Sequence, residues 1–204
     1  MAYEYDVFLS YKTGFPSGNW VHDIFLPLFK PYLENSLNRD VTLFVDKHEI
    51  SSGDAWPERI KRALAHSRCL VAVWLPSYFN SIWCLCECAV MLHRERQLNY
   101  RTRENPSGLI IPINVFNGEH FPDFAKQIQY LDCRNFFRVG PGFLKTERYV
   151  EFQDVLIEWV DDVANAINNV SPWSEEWQTK RWIDDPIENI HRIAIPDFEP
   201  PTLG

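Results

Sequence analysis

The chain has 204 residues and a mass of 24.1 kDa, with 20 Lys and Arg against 28 Asp and Glu, a formal charge of −8 and a sequence pI near 5.2. A composition that is 46% hydrophobic and 24% charged, with 14 Phe and 8 Trp, excludes a predominantly disordered polypeptide and supplies a sizeable core. The acidic balance argues against a nucleic-acid-coating protein, because neutralising phosphates needs clustered Lys and Arg, and no apolar run approaches the ~20 residues of a membrane span.

Met1-Ala2-Tyr3-Glu4 has no basic region followed by an apolar stretch, so no signal peptide is expected. Five cysteines, an odd number without a disulfide-framework spacing, agree with a soluble cytoplasmic protein. Tyr5-Asp6-Val7-Phe8-Leu9-Ser10 is an apolar run closed by polar residues and reads as a buried strand. A Gly- and Pro-containing loop over 12–19 leads into a helix reaching about Asn38, with Trp20, Ile24, Leu28 and Tyr32 at i, i+4 spacing and Pro27 and Pro31 expected to bend or interrupt it. Val41–Val45 is the second strand, ended by Asp46. A polar stretch with Gly53 then precedes a helix near Asp54–His66, with Asp54 as N-cap and Pro57 in the first turn.

Cys69–Trp74 is apolar throughout, as a central parallel strand buried on both faces requires, and Pro76 stops it. Ser81 is the expected cap of a helix to about Gln97. Leu109–Val115 is the fourth strand, where Pro112 predicts a bulge or an edge-like position. A short helix near Pro122–Tyr130, a strand near Leu131–Phe136 and a long helix over about Glu147–Asn169 complete the series. Strand and helix alternate about five times, which predicts an α/β protein with an open, flavodoxin-like parallel sheet flanked by helices. In such sheets the ligand crevice lies beyond the carboxyl ends of the strands. The residues to watch are therefore Tyr11 and Lys12, Asp46 and Lys47, Leu75 to Tyr78, and Phe116 and Asn117.

The common nucleotide and hydrolase signatures are missing: there is no G-x-G-x-x-G, no G-x-x-x-x-G-K-[ST] and no G-x-S-x-G. Asp46 at a strand end invites comparison with a phospho-acceptor, but the Mg²⁺-holding acidic pair after the first strand is not there, since Asp6 lies inside that strand. Cys84, Cys86 and Cys88 form a C-x-C-x-C run. On a helix Cys86 points away from the other two, so buried apolar side chains are the better reading than a metal site.

Three boxes in order carry a family resemblance. Tyr5-Asp6-Val7-Phe8-Leu9-Ser10-Tyr11 resembles the first conserved box of Toll/interleukin-1 receptor (TIR) domains. Val45-Asp46, followed by Ile50, Gly53, Ile60, Ala63 and Ser67, is similar to that family's second strand, its long following loop (the BB loop) and the next helix. Ser81-Ile82-Trp83-Cys84-Leu85-Cys86-Glu87 resembles the S-x-x-W-C-x-x-E segment of TIR domains that cleave NAD⁺. The resemblance covers about residues 3–169 and implies a five-stranded parallel sheet, in agreement with the independent reading.

Glu87 stands out on the pattern alone. Its neighbours Trp83, Cys84, Leu85, Cys86, Cys88, Ala89 and Val90 are apolar or nearly so, and a lone carboxylate in that setting either faces a cleft or is badly placed. A solvated helix Glu is the commoner fate of this residue type. Trp83, four residues earlier, shares its helical face. The resemblance implies a role: in the family the matching glutamate binds the ribose of NAD⁺ and stabilises the oxocarbenium-like charge that develops as nicotinamide leaves. It implies NAD⁺ as substrate rather than cofactor, no metal, and hydrolysis to ADP-ribose or cyclisation within the dinucleotide. By the same resemblance Tyr11, Lys12, Phe15 and Trp83 are expected to contact substrate. Asp46, Lys47, His48, Ile50 and Gly53 of the BB loop are expected to close the site or dock a neighbouring domain. The implied partners are other TIR domains and a separate effector that responds to the product, as in prokaryotic antiviral systems of the Thoeris type; neither nucleic acid nor membrane is expected. The rival readings are a non-enzymatic TIR adaptor and a nucleoside deoxyribosyltransferase-like enzyme.

The resemblance ends after Asn169, so residues 1–169 are expected to form the domain and 170–204 an extension. The extension carries Trp173, Trp177 and Trp182 with five prolines. Trp173 and Trp177 share a helical face, and a short helix packed back on the domain as a brace is the expectation, with a partner-docking arm or a linker as alternatives.

Overall fold

The computed structural model describes residues 2–45, 58–119 and 121–179. The strands are β1 (Tyr5–Ser10), β2 (Leu43–Val45), β3 (Ser67–Trp74), β4 (Ile110–Asn114) and β5 (Leu131–Asp132). They form one parallel sheet in the order β2-β1-β3-β4-β5. The chain steps from β1 to β2 in one direction and from β2 through β3 and β4 to β5 in the other. Right-handed crossovers therefore put the helix after β1 on one face and those after β2 and β3 on the other. The reversal falls between β1 and β3, which makes their carboxyl ends the switch point of the sheet.

The first crossover is a short helix α1 (Ser17–Trp20), a widened π-helical stretch over Val21–Phe25, and α2 (Leu26–Leu37). The wide turn sits just ahead of Pro27, whose nitrogen cannot bond back, and α2 then carries Pro31 inside it. The two prolines thus displace the helix geometry without ending it. Asn38, in the left-handed conformation at φ 51°, closes α2. The other face is covered by α3 (Glu58–Ala65) and α5 (Ile82–Gln97), with α4 (Pro76–Phe79) between β3 and α5. After α6 (Asp123–Lys126), the long helix α7 (Glu147–Asn169) returns to pack on α2. Their seam is aromatic: Trp159 lies 5.8 Å from Phe29 and Phe152 lies 5.7 Å from Trp20, whose indole N–H donates to the Phe136 carbonyl at 2.9 Å.

Three expected elements are shorter than the sequence pattern. β2 begins at Leu43 rather than Val41 because the Thr42 amide donates to the Asp6 carboxylate at 3.0 Å instead of joining the ladder. The helix expected over 122–130 keeps one α-helical turn, then tightens, with Gln127 and Ile128 bonding back three residues to Phe124 and Ala125. The strand expected over 131–136 stops at Asp132, whose side chain accepts from the Arg134 amide at 3.1 Å and turns the backbone into a 3₁₀ helix over Arg134–Phe136. Pro112 is paired with Ala72 in the ladder, and its missing donor faces the β5 side. There the pairing of β4 with β5 starts only at Ile113, so the edge-like position is local to this residue.

The second half of α5 is fastened on two sides. Arg94, fully buried, donates to the carbonyls of Ser67 and Leu64, both at 2.7 Å, and so caps the C-terminus of α3. Burial pushes its guanidinium down to about 10. Glu95, also buried, accepts from the amides of Leu109 and Ile110 at the start of β4 and from Arg101 Nε at 2.7 Å. Gly108 leaves room beside this clamp, because a Cβ there would lie 2.2 Å from the Arg101 guanidinium and push it from its bonds to Glu95.

Beyond α7 the chain continues across the end of α3. The Tyr3 hydroxyl donates to the Ser171 carbonyl at 2.8 Å, and the Trp173 indole N–H donates to the Ala65 carbonyl at 3.1 Å while its ring stacks on His66. A short helix α8 (Glu176–Thr179) lays Trp177 over Arg94, with 4.5 Å between the guanidinium carbon and the ring centroid. Trp182 and the proline-rich end lie outside the described residues, as do Asp54 and Pro57. All five cysteines are buried and outside any disulfide, and among the described residues no cluster of three His, Cys, Asp or Glu side chains could hold a metal ion. No described helix is long and apolar enough to cross a membrane.

Candidate functional site

Helix α5 starts at Ser81, which stands extended at the N-cap with its carbonyl accepting from the Leu85 amide at 3.0 Å; its side chain makes no capping bond. In the first turn, Trp83 is half-buried against the core, and one turn further Glu87 is only 7% exposed. The Glu87 carboxylate is not stranded there. The Ser10 hydroxyl, at the last residue of β1, donates to its Oε2 at 2.6 Å. A bond between residues 77 apart thus ties α5 to the carboxyl end of β1, at the switch point of the sheet.

Behind this pair lies a closed polar group. Tyr78, fully buried on α4, places its hydroxyl 2.7 Å from Ser10 Oγ, 3.1 Å from Cys88 Sγ and 3.2 Å from the Cys84 carbonyl. Burial pushes the Tyr78 phenol and the Cys84 thiol well above their ordinary values, and the charge of Glu87 adds to both shifts. Burial also raises the Cys88 thiol, to about 12. These cysteines therefore remain thiols, and the run at 84, 86 and 88 is apolar filling around one carboxylate.

The other residues singled out in the sequence are distributed unevenly. Lys12 follows β1, and its charge works weakly against the upward shift of the Cys84 thiol. Phe15 is 78% exposed in the same loop. Tyr11 is turned into the core: it is buried, its ring meets His22 edge-on and its hydroxyl lies 2.8 Å from His22 Nε2. That geometry gives Tyr11 a packing role beside His22. Asp46, Lys47, His48, Ile50 and Gly53 lie outside the described residues. Asp6, at the other end of β1 from Ser10, is tied to Arg39 by two hydrogen bonds of 2.9 and 2.7 Å. Burial opposes its charge, yet the bonds from Arg39 and the Thr42 amide outweigh it and hold the carboxyl below the usual range. Sequence reasoning placed Tyr78 among the residues following the strands but linked neither it nor Ser10 to Glu87; the available signal was that Ser10 ends β1 and Tyr78 follows the adjacent strand β3.

The fold is thus a parallel sheet flanked by helices, with a buried, anchored carboxylate at its switch point. The TIR domain family matches residues 7–140, more than half of the 204-residue chain, and the chain belongs to that family. Among solved structures it is similar to the TIR domain of the Toll-related receptor TRR-2 from Hydra magnipapillata, with 24% identity and a TM-score of 0.43 over 74% of this chain and 98% of that one. It is also similar to the TIR domains of the activated Roq1 resistosome that recognises the pathogen effector XopQ, with 21% identity and a TM-score of 0.37 over 93% of this chain and 97% of that one. No curated protein matches the chain.

Proposed function

We propose that this TIR domain cleaves the nicotinamide–ribose bond of NAD⁺, and that it does so in the cytoplasm as part of a prokaryotic antiviral system in which a separate effector reads the product. The observation that carries the reading is the Glu87 carboxylate, buried, fixed by Ser10 and one helical turn from the half-buried Trp83. Nicotinamide is attached through a positively charged ring nitrogen. When the C–N bond breaks, its electron pair neutralises that nitrogen, and no proton donor is needed for departure. The positive charge moves onto the ribose, where a preoriented carboxylate stabilises it. Water then adds to the anomeric carbon and releases a proton, giving ADP-ribose; attack by a nucleophile within the same dinucleotide gives a cyclic ADP-ribose-type product instead. Trp83 offers an aromatic wall and Lys12 a charge for a phosphate. Self-association through the loop carrying Lys47 and His48 is part of the same proposal.

Glu87→Gln tests it. The substitution keeps shape and removes charge, so NAD⁺ cleavage should fall at least about 100-fold, as for loss of a major electrostatic stabiliser of a transition state. Products are resolved by mass after incubation with NAD⁺ and, separately, with deoxynucleosides. Near wild-type turnover by a folded Glu87→Gln protein would end the assignment, and cleavage of deoxynucleosides alone would favour the deoxyribosyltransferase reading.

A further inference from the structure

We propose that Ser10 and Tyr78 form a one-directional hydrogen-bond relay that holds the Glu87 carboxylate in its working orientation, with Ser10 touching the carboxylate and Tyr78 acting through Ser10. The inference rests on Glu87 as the catalytic carboxylate, and both partners are positioning residues.

Counting protons gives the direction. A serine hydroxyl has one hydrogen, and Ser10 gives it to Glu87 Oε2 at 2.6 Å. Ser10 Oγ can then only accept from the Tyr78 hydroxyl, 2.7 Å away. The single Tyr78 hydrogen is directed to Ser10 by the shorter distance, in preference to the Cys84 carbonyl at 3.2 Å. The Cys88 thiol, 3.1 Å from the Tyr78 oxygen, is left to donate to it. The result is a chain, Cys88 to Tyr78 to Ser10 to Glu87, whose donors all point toward the carboxylate. Burial raises both the phenol and the Cys88 thiol, so each keeps the proton that the chain requires.

The elements bearing the chain make it rigid. Ser10 ends β1, Tyr78 sits on α4 directly after β3, and Cys88 shares α5 with Glu87. Ser10 pairs in register with Ala72 of β3, so the two strands that bring hydroxyls together are ladder neighbours. Ser10 is 1% exposed and Tyr78 fully buried, which keeps water from replacing either link. Successive donors polarise one another in a dry setting, so the last bond of the chain is strengthened by those behind it.

The test uses Ser10→Ala, Tyr78→Phe and the double variant in the full chain, with melting curves for each. Ser10→Ala should lower kcat for NAD⁺ cleavage about 10- to 100-fold with KM nearly unchanged, and Tyr78→Phe should lower it several-fold. The double variant should be no slower than Ser10→Ala, because Tyr78 reaches Glu87 only through Ser10. A second readout does not depend on activity: the side-chain carboxyl ¹³C signal of Glu87, assigned by its disappearance in Glu87→Gln, should shift in both single variants. Full turnover in folded Ser10→Ala, multiplied rather than shared losses in the double variant, or an unmoved carboxyl signal would each overturn the relay. Should Ser10→Ala not fold, Tyr78→Phe, which keeps ring and volume, decides by the same two readouts. A wild-type protein inert toward NAD⁺ whose Glu87 signal still responds to both variants would sink the enzymatic reading while leaving the relay as structure.

Discussion

Replacing Trp177 by alanine removes the side chain that seals the end of α3. The indole is 3% exposed, stands over the Arg94 guanidinium at 4.5 Å and lies 5.7 Å from the Tyr3 ring. Truncating a buried Trp costs about 3–5 kcal/mol in lost transfer energy and cavity. α8 is short and can move over part of the gap, and water admitted to Arg94 relieves some of its desolvation, so the lower end, about 3 kcal/mol, is expected. For a chain of this size that corresponds to a fall in Tm of about 6–12 °C. Thermal unfolding followed by circular dichroism reads this directly. Trp173→Phe, which keeps the stack on His66 but loses the indole bond to the Ala65 carbonyl, should cost only about 1 kcal/mol and serves as the graded control. An unchanged Tm for Trp177→Ala would refute the bracing role, and loss of an assembly at unchanged Tm would make residues 171–179 a docking arm.

Further outcomes are expected from other parts of the molecule. A chain ending at Asn169 should still fold, melt lower than Trp177→Ala, and cleave NAD⁺ at the wild-type rate per folded molecule, since the candidate site lies before the cut. The carboxyl of Asp6 is held below its unfolded value, so its contribution to stability is full above about pH 4 and is lost as pH falls through the lower folded value; the Tm difference between wild type and Asp6→Asn should therefore shrink on acidification below pH ~4, and a gap constant with pH would contradict the ion-pair account. Native protein should react with no equivalents of a thiol reagent and denatured protein with five, because every cysteine is buried. Specific NAD⁺ cleavage should rise with protein concentration, and Lys47→Glu should flatten that rise while leaving the melting curve intact; activity strictly proportional to enzyme, with a monomer by light scattering, would remove assembly from the mechanism.

Elements whose pattern and packing agree were legible in the sequence. β3 is apolar on both faces from Cys69 to Trp74 because it lies inside the sheet, and α7 was legible as one long helix, although Val150 and Ile157, apolar in the sequence, lie exposed while Phe152 and Leu156 join Trp159, Val163 and Ile167 in the core. The losses occurred where a side chain competes with the ladder for a backbone amide. Asp6 takes the Thr42 amide and shortens β2; Asp132 takes the Arg134 amide and ends β5. Glu87 was legible as a carboxylate among apolar neighbours, but its tie to Ser10 was not, because nothing local to either residue encodes a contact across 77 positions. Tyr11 shows the converse: its position after β1 drew attention, while the rotation of its ring toward His22 is decided by packing that a linear reading does not contain.

Glu87 and the Arg94–Glu95 clamp ride on the same helix, seven and eight residues apart, or about 10–12 Å along its axis. α5 therefore behaves as a beam set in masonry, its far end held by the clamp and the carboxylate itself tied to β1 through Ser10. Sliding or rotating it would break charge-assisted bonds to α3 and to the head of β4 before the carboxylate moved by one turn. On the proposed function, a neighbouring molecule that switched the site on would act on the stretch after β1, where Phe15 stands exposed, and bring it to a carboxylate that stays where it is.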